Sequence, residues 1–277
     1  MDRYVLFGQP VSHSLSPLIH GLFALQFDQR LQYGLVDVGA GGFPRAVEEF
    51  FAQGGRGANV TVPHKQAAAA LAASLTPRAQ QAAAVNTLRP GPDGLVGDNT
   101  DGTGLLRDLQ DNLGIGIRGA RVLVIGAGGA VRGILGPLLA EGAASLGIAN
   151  RTPATARALV DGFRGLGPVE ALSLDELDAA GHWDLVINGT SAGLAGELPG
   201  LPRSLPGRCA AAYDLSYSGH GDTPFQAWAR EAGVHRSFQG LGMLVEQAAE
   251  AFFLWRGLRP ATGNVIETLR RGSGSGS

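Results

Sequence analysis

Lys65 is the first side chain with evident chemistry. It closes the stretch G-A-N-V-T-V-P-H-K over residues 57–65. Strand alternation puts Asn59 and Thr61 on one face and Val60 and Val62 on the other. Pro63 ends the strand, and His64 and Lys65 lie in the turn into an alanine-rich helix over 66–73. An ammonium just past a strand end, beside two neutral polar side chains, suits a small polar ligand. Taken alone, it reads more readily as a solvated surface lysine. A second group, Asp98-Asn99-Thr100-Asp101, precedes a helix starting near Gly102. Helix capping accounts for one or two of its members and leaves the others unexplained. A third group is Ser14 and Ser16. Ser16 before Pro17 marks a helix start with a hydroxyl N-cap. The N–H groups there favour a carboxylate, although both serines serve equally well as plain caps.

These groups need elements to hold them. Short strands are expected over Tyr4–Phe7, Gln32–Val38, Ala82–Leu88 and Leu95–Asn99, with a turn over Arg89–Gly94. Helices are expected from Ser16, with Leu18, Leu22 and Leu25 on one face, and over Phe43–Gln53. Asn86-Thr87 stands at the end of the Ala82–Leu88 strand. A linking helix follows over Gly102–Leu113, then a glycine-rich joint over 114–119.

The second half is organised by R-V-L-V-I-G-A-G-G-A-V-R-G, residues 121–133. Val122–Ile125 is the unbroken apolar run of a strand buried on both faces. The turn Gly126-Ala127-Gly128-Gly129-Ala130 leads into an apolar helix to Leu139. Strand, glycine turn and helix in that order form a dinucleotide-phosphate corner. Val131 stands at the third glycine position, so the small packing residue must be Ala130 or Gly133. A second strand, Ala144–Ala149, ends in Asn150-Arg151-Thr152. NAD-binding folds place an acid about 20 residues beyond the turn. Here the end of the strand carries arginine instead, which suits the 2′-phosphate of NADP. Further strands are expected at Leu185–Asn188, Ala211–Leu215 and Val234–Phe238. Thr190 and Ser191 follow the first of these, at the carboxyl edge where open α/β sheets bind ligands. Gln239-Gly240-Leu241-Gly242-Met243 then leads into an amphipathic helix to about Trp255.

At 277 residues the chain can hold about two domains. A net charge of −2 gives no basis for binding nucleic acid. The single cysteine, Cys209, excludes an intramolecular disulfide and reads as a core residue. The six histidines lack metal-ligand spacing, so no metal is expected. His13 and His20 read as packing or surface residues. No leader or membrane-length apolar run is present, which suggests a cytoplasmic protein without a membrane partner. The tail from Arg271, R-G-S-G-S-G-S, reads as a flexible linker.

Together these stretches resemble the shikimate dehydrogenase family. The resemblance rests on S-H-S-L-S-P at 12–17, N-V-T-V-P-H-K at 59–65, A-V-N-T at 84–87 and G-D-N-T-D-G at 97–102. It continues with G-A-G-G-A at 126–130, N-R-T at 150–152, N-G-T-S-A-G at 188–193 and Q-G-L-G-M-L-V-E-Q-A at 239–248. It implies NADPH-linked reduction of 3-dehydroshikimate to shikimate, a step of aromatic amino-acid biosynthesis. It implies Lys65 and Asp101 as the catalytic pair and Ser14 and Ser16 as holders of the substrate carboxylate. Thr61, Asn86, Asp101 and Gln247 would bind ring hydroxyls, with Asn59 in the same polar group and Tyr217 nearby. The stretch containing Gly240 and Met243 would approach the nicotinamide. The implied fold is a three-layer α/β substrate domain plus a Rossmann-type doubly wound NADP domain, with a cleft between. The expected boundaries are 1–102 plus 240–271 for the first, 103–239 for the second, and 272–277 as tail.

The implied chemistry agrees with the residues. A hydroxylated monocarboxylate ring needs one anion site and several neutral partners. Hydride addition to its ketone creates an alkoxide, which a lysine ammonium can stabilise and protonate. Two positions depart from the family pattern: Thr155 replaces a second basic residue, and Gly219 a proline after Tyr217. Arg157 lies two residues beyond the first of these. The rival readings are an NAD-linked quinate/shikimate dehydrogenase and a non-catalytic NADP-binding regulator. The missing acid and the two serines oppose the first; Lys65 with Asp101 opposes the second. The oligomeric expectation is monomer or homodimer.

Overall fold

The computed structural model describes residues 1–190, 192, 196–219 and 221–274, without the side chains of residues 178 and 272–274. Two compact units divide the chain: Met1–Gly104 with Leu244–Glu267, and Leu105–Met243 with Thr268–Ser277.

The first half begins with β1 (Asp2–Gly8), α1 (Ser16–Leu25), β2 (Leu31–Asp37), α2 (Phe43–Ala52) and β3 (Gly57–Val60). Then come α3 (Lys65–Leu71), β4 (Ser74–Leu75), α4 (Pro77–Ala82), β5 (Thr87–Gly91), β6 (Gly94–Asp98) and α5 (Asp101–Arg107). A π-helical turn over Asp108–Asn112 continues α5. The sheet order is β2-β1-β3-β5-β6-β4, with β5 antiparallel to both β3 and β6. Both faces of β1 are covered. Val5 and Phe7 join a core with Phe43 and Val47 of α2. On the other face Tyr4 stacks on Trp255 at 4.8 Å. Helix α1 lies on that second face, where His20 stacks on Tyr33 of β2 at 4.4 Å.

The second half contains β7 (Arg121–Ile125), α6 (Gly129–Ala140), β8 (Ser145–Ala149), α7 (Pro153–Asp161), β9 (Val169–Leu172) and β10 (Leu185–Asn188). It ends with β11 (Ala212–Asp214), α8 (Pro224–Glu231), β12 (Ser237–Gln239), α9 (Leu241–Arg256) and α10 (Gly263–Gly274). The sheet is all parallel, in the order β12-β11-β10-β7-β8-β9. This is a doubly wound nucleotide-binding order, reversing direction between β7 and β10. Val122 and Val124 join one core, with α6 and α7. Leu123 and Ile125 join the other, with α8. Two apolar faces explain the unbroken run in β7.

Several expectations change. Ala82–Asn86 is not strand: Ala82 ends α4, and Ala83 has φ +47°. Arg89–Gly91 belongs to β5 rather than to a turn. Ser16 is the first residue of α1 and not its cap; Leu15 holds the N-cap position. The inward face of α1 is Ile19, His20, Phe23 and Ala24, while Leu18 and Leu25 are exposed. The run starting at Arg271 continues α10 as far as Gly274. Val265, Ile266 and Leu269 pack α10 down, and a helical glycine costs only roughly 1 kcal/mol. Cys209 is half-buried beside the α8 core, and burial pushes its thiol up to about 11. Among the described residues no helix is long and apolar enough to cross a membrane.

Candidate active site

In the first unit, Lys65 begins α3 and Asp101 begins α5. Lys65 Nζ donates to Asp101 Oδ2 at 2.5 Å, with side chains only 11% and 6% exposed. The other carboxylate oxygen accepts from Asn86 Nδ2 at 2.7 Å. Asp101 is thus held from both sides in a nearly dry setting, where an ion pair persists because both charges are matched. Asn86 also donates to Thr100 Oγ1 at 2.9 Å and accepts from the Thr100 N–H at 2.9 Å. Gln247 Oε1 lies 3.4 Å from both Asn86 Nδ2 and Thr100 Oγ1. Asn59 is buried and joins the cluster through Thr87. Thr61 sits in the turn between β3 and α3, where its carbonyl accepts from the His64 N–H at 2.9 Å. His64 accompanies Lys65 as a packing residue: it is buried and stacked on Phe43, with Nε2 2.6 Å from Val38 O.

Ser14 and Ser16 come together as a pair, 3.1 Å between hydroxyl oxygens. The Ser14 oxygen accepts the Ser16 N–H at 3.2 Å. Two hydroxyls at the opening of a helix form a small donor site that suits a carboxylate.

The polar run before α5 divides its work. Asp98 pairs with Arg78 through Oδ1 at 2.6 Å and Oδ2 at 3.0 Å. Asn99 Oδ1 accepts the Asp101 N–H at 3.1 Å, and its amide donates to Ala84 O at 2.9 Å. The segment that presents Asp101 is therefore fixed residue by residue.

In the second unit, Gly126 follows β7 with φ +108°. A Cβ there would lie 2.9 Å from the backbone of Gly189, so both conformation and closeness require glycine. Gly128 is exposed at the N-cap of α6, and Gly129, Ala130 and Ala127 are half-buried around it. Unpaired N–H groups at such a turn can cradle a pyrophosphate. Asn150 donates to Thr152 O at 3.1 Å, shaping the loop from which exposed Arg151 projects. Thr190 Oγ1 donates to Asn188 Oδ1 at 2.9 Å, and Asn188 donates to buried Asp214 at 3.1 Å. Ser191 lies outside the described residues. Tyr217 follows β11 in a loop tied by the Ser216 N–H to Asp214 Oδ1 at 3.0 Å. The Gly240 N–H donates to Ser216 O at 2.9 Å, and a Cβ there would lie 2.8 Å from the Leu215 carbonyl carbon. Met243 is buried in the first turn of α9.

Sequence reading missed Tyr33, Thr87 and Asp108. Burial pushes the Asp108 carboxyl up, opposed by the Tyr213 hydroxyl, Asn112 and the Met243 N–H. Asp108 thereby anchors the start of α9, with Tyr213 donating at 2.6 Å. An acid inside a run read as a plain linking helix was the available signal. Among the described residues no group of three or more His, Cys, Asp or Glu is arranged to hold a metal ion.

Residues 6–88 match the shikimate dehydrogenase substrate binding domain. Residues 108–195 match shikimate / quinate 5-dehydrogenase, and residues 240–270 the shikimate 5′-dehydrogenase C-terminal domain. The chain is 53% identical over 276 residues to a shikimate dehydrogenase (NADP(+)) from Aeromonas salmonicida, covering 99% of this chain and 100% of that one. It is similar in structure to an Ael1 enzyme from Pseudomonas putida, with TM-score 0.89, 46% identity and coverage of 97% and 98%. A shikimate 5-dehydrogenase from Thermus thermophilus in complex with NADP(H) and shikimate gives TM-score 0.85 at 35% identity, covering 98% of this chain and 100% of that one.

Proposed function

The chain belongs to the shikimate dehydrogenase family, and from that premise we propose that it catalyses the reversible NADPH-dependent reduction of 3-dehydroshikimate to shikimate. The observation that carries the assignment of roles is the buried Lys65–Asp101 pair at 2.5 Å. NADPH supplies the hydride when bound. Lys65 donates the proton that the new alkoxide requires and stabilises its charge before transfer. Asp101 holds the ammonium on one oxygen and, while accepting from Asn86 on the other, has a lone pair for a ring hydroxyl. Ser14 and Ser16 bind the carboxylate. Asn59, Thr61, Asn86 and Gln247 complete the set around the hydroxyls.

The second unit fits the dinucleotide. Gly126–Ala130 offers a backbone cradle with no Cβ at its tightest point, which suits a pyrophosphate. Arg151, flanked by Asn150 and Thr152, is an exposed cation with no ion-pair partner among the described residues, which suits a 2′-phosphate. Thr190, Gly240 and Met243 complete the proposed dinucleotide site. The first unit is the substrate domain and the second the NADP domain, acting in the cytoplasm as monomer or homodimer.

Lys65→Ala tests the assignment. Turnover falls roughly 10²–10⁴-fold while folding and NADP affinity stay intact. A variant with near-normal turnover removes Lys65 as the proton donor.

A further inference from the structure

Asp108 is a buried carboxylate that the reaction as described leaves unused. It opens the π-helical turn after α5, where the Leu113 N–H donates five residues back to the Asp108 carbonyl at 3.0 Å. Leu105 and Leu109, its neighbours along the helix, are core residues. An apolar side chain would fill such a position at less cost than a carboxylate. Three donors meet the acid instead. The Tyr213 hydroxyl donates to Oδ2 at 2.6 Å and Asn112 Nδ2 to Oδ1 at 3.0 Å, and the Met243 N–H completes the set. Tyr213 is fully buried in β11, which fixes the acid in turn.

The carboxylate does for α9 what the local sequence cannot. The first N–H groups of a helix have no partner within it. Gln239-Gly240-Leu241-Gly242 places no Ser, Thr, Asp or Asn there to cap them. Asp108 supplies the acceptor from a distant part of the chain. Two glycines also leave this turn many backbone states, and two contacts remove them. The Gly240 N–H is tied to Ser216 O at 2.9 Å, and the Asp108 carboxylate fills the space that a Cβ on Gly242 would take. Asp108, Tyr213, Gly240, Gly242 and Met243 all belong to the second unit.

We infer that Asp108, backed by Tyr213, is a positioning residue for hydride transfer: it holds the first turn of α9 so that Gly240 and Met243 meet the nicotinamide end of the dinucleotide in one fixed arrangement. The acid itself moves no proton and touches no reacting atom. The inference rests on the NADP-dehydrogenase reading of this unit and names what sets the ring end of its site. A ring misplaced by about 1 Å costs up to about 100-fold in transfer rate. The adenosine end, held by other residues, is left as it was.

The test uses the full-length enzyme with Asp108→Ala, Asp108→Asn and Tyr213→Phe. Mixing the enzyme–NADPH complex with 3-dehydroshikimate gives the rate of hydride transfer in a single turnover. Asp108→Ala slows it about 10–100-fold, and the primary isotope effect on kcat with NADPH deuterated at the transferred position rises. NADP affinity falls, while affinity for adenosine 2′,5′-bisphosphate, which lacks the nicotinamide, stays within about twofold. Tyr213→Phe removes one donor and little packing, and slows transfer about fivefold, the scale of one hydrogen bond. Asp108→Asn keeps the shape and one acceptor oxygen and falls between wild type and Asp108→Ala. Should Asp108→Ala not fold, Asp108→Asn and Tyr213→Phe carry the same comparison. If the variants lower melting temperature alone, with wild-type transfer rate and isotope effect, Asp108 is only a helix cap and the inference is overturned. Equal losses for NADP and for the bisphosphate overturn it too, because the whole site is then disturbed. A wild type that binds NADP yet does not reduce 3-dehydroshikimate instead overturns the functional reading beneath it.

Discussion

Arg78 grips Asp98 with two parallel hydrogen bonds, Nε to Oδ1 at 2.6 Å and Nη2 to Oδ2 at 3.0 Å. The same guanidinium reaches Glu250 at 3.2 Å, and Arg259 meets that glutamate from the other side at 2.7 Å. The network ties α4, the end of β6 and α9 together within the first unit. It also fixes the residue three places before Asp101.

Removing Arg78 leaves Asp98 uncompensated where its side chain is 5% exposed. Arg78→Met is expected to destabilise the protein by about 3 kcal/mol, the lower end for a broken buried pair, since Arg259 still neutralises Glu250. Burial pushes the Asp98 carboxyl up, but the Arg78 and Thr76 hydrogen bonds outweigh it and hold the carboxyl below its ordinary value. Its contribution is therefore complete above the ordinary carboxylate pKa of about 4 and is lost as pH falls through the lower folded value. Urea unfolding at neutral pH and below pH 4 checks both points. A deficit under about 1 kcal/mol at neutral pH contradicts the network's role.

His20 predicts a second pH dependence, by a different route. Burial lowers its pKa to about 3, the Asn59 side chain only partly opposing. Neither ring nitrogen reaches hydrogen-bonding geometry with a partner among the described residues. The folded state keeps the ring neutral, while the unfolded chain takes up a proton below about pH 6.5. Stability from this residue is complete above about pH 6.5 and falls by up to about 1.4 kcal/mol per pH unit toward pH 3. His20→Phe, which preserves the aromatic stack, removes that slope. A variant whose stability curve parallels wild type between about pH 6.5 and 5 contradicts the account of a neutral buried imidazole.

Arg151 should discriminate between cofactors. Arg151→Gln is expected to weaken NADP binding about 10–100-fold, the worth of a charge-assisted contact, and to leave NAD binding nearly unchanged. Titration of each dinucleotide against both proteins separates the possibilities. An equal loss for the two contradicts a 2′-phosphate role, because they differ only there.

Much of this is legible in the sequence alone. Val122–Ile125 reads as a doubly buried strand because both sheet faces are covered, and the glycine turn after it follows from close backbone approach at Gly189. The residues now proposed as the catalytic pair stand in recognisable motifs. Other features were harder. Leu18, Leu22 and Leu25 repeat on a helix as well as Ile19 and Phe23 do, and only the partner, the Tyr33 face of the sheet, selects the second set. The start of α4 carries its own sequence signal, since the Thr76 side chain accepts from the Ala79 N–H and Pro77 follows it. Alanines 82–84 then masked the break between helix and strand. Tyr33 and Thr87 carry no local signature, since strand register alone brings them to Asn59.

The most direct measurement is reduced-nicotinamide absorbance with shikimate or quinate, each paired with NADP or NAD. The account predicts rapid NADP reduction with shikimate, far ahead of the other three combinations. Turnover chiefly with quinate and NAD would contradict it, both in the substrate assigned to the first unit and in the phosphate assigned to Arg151.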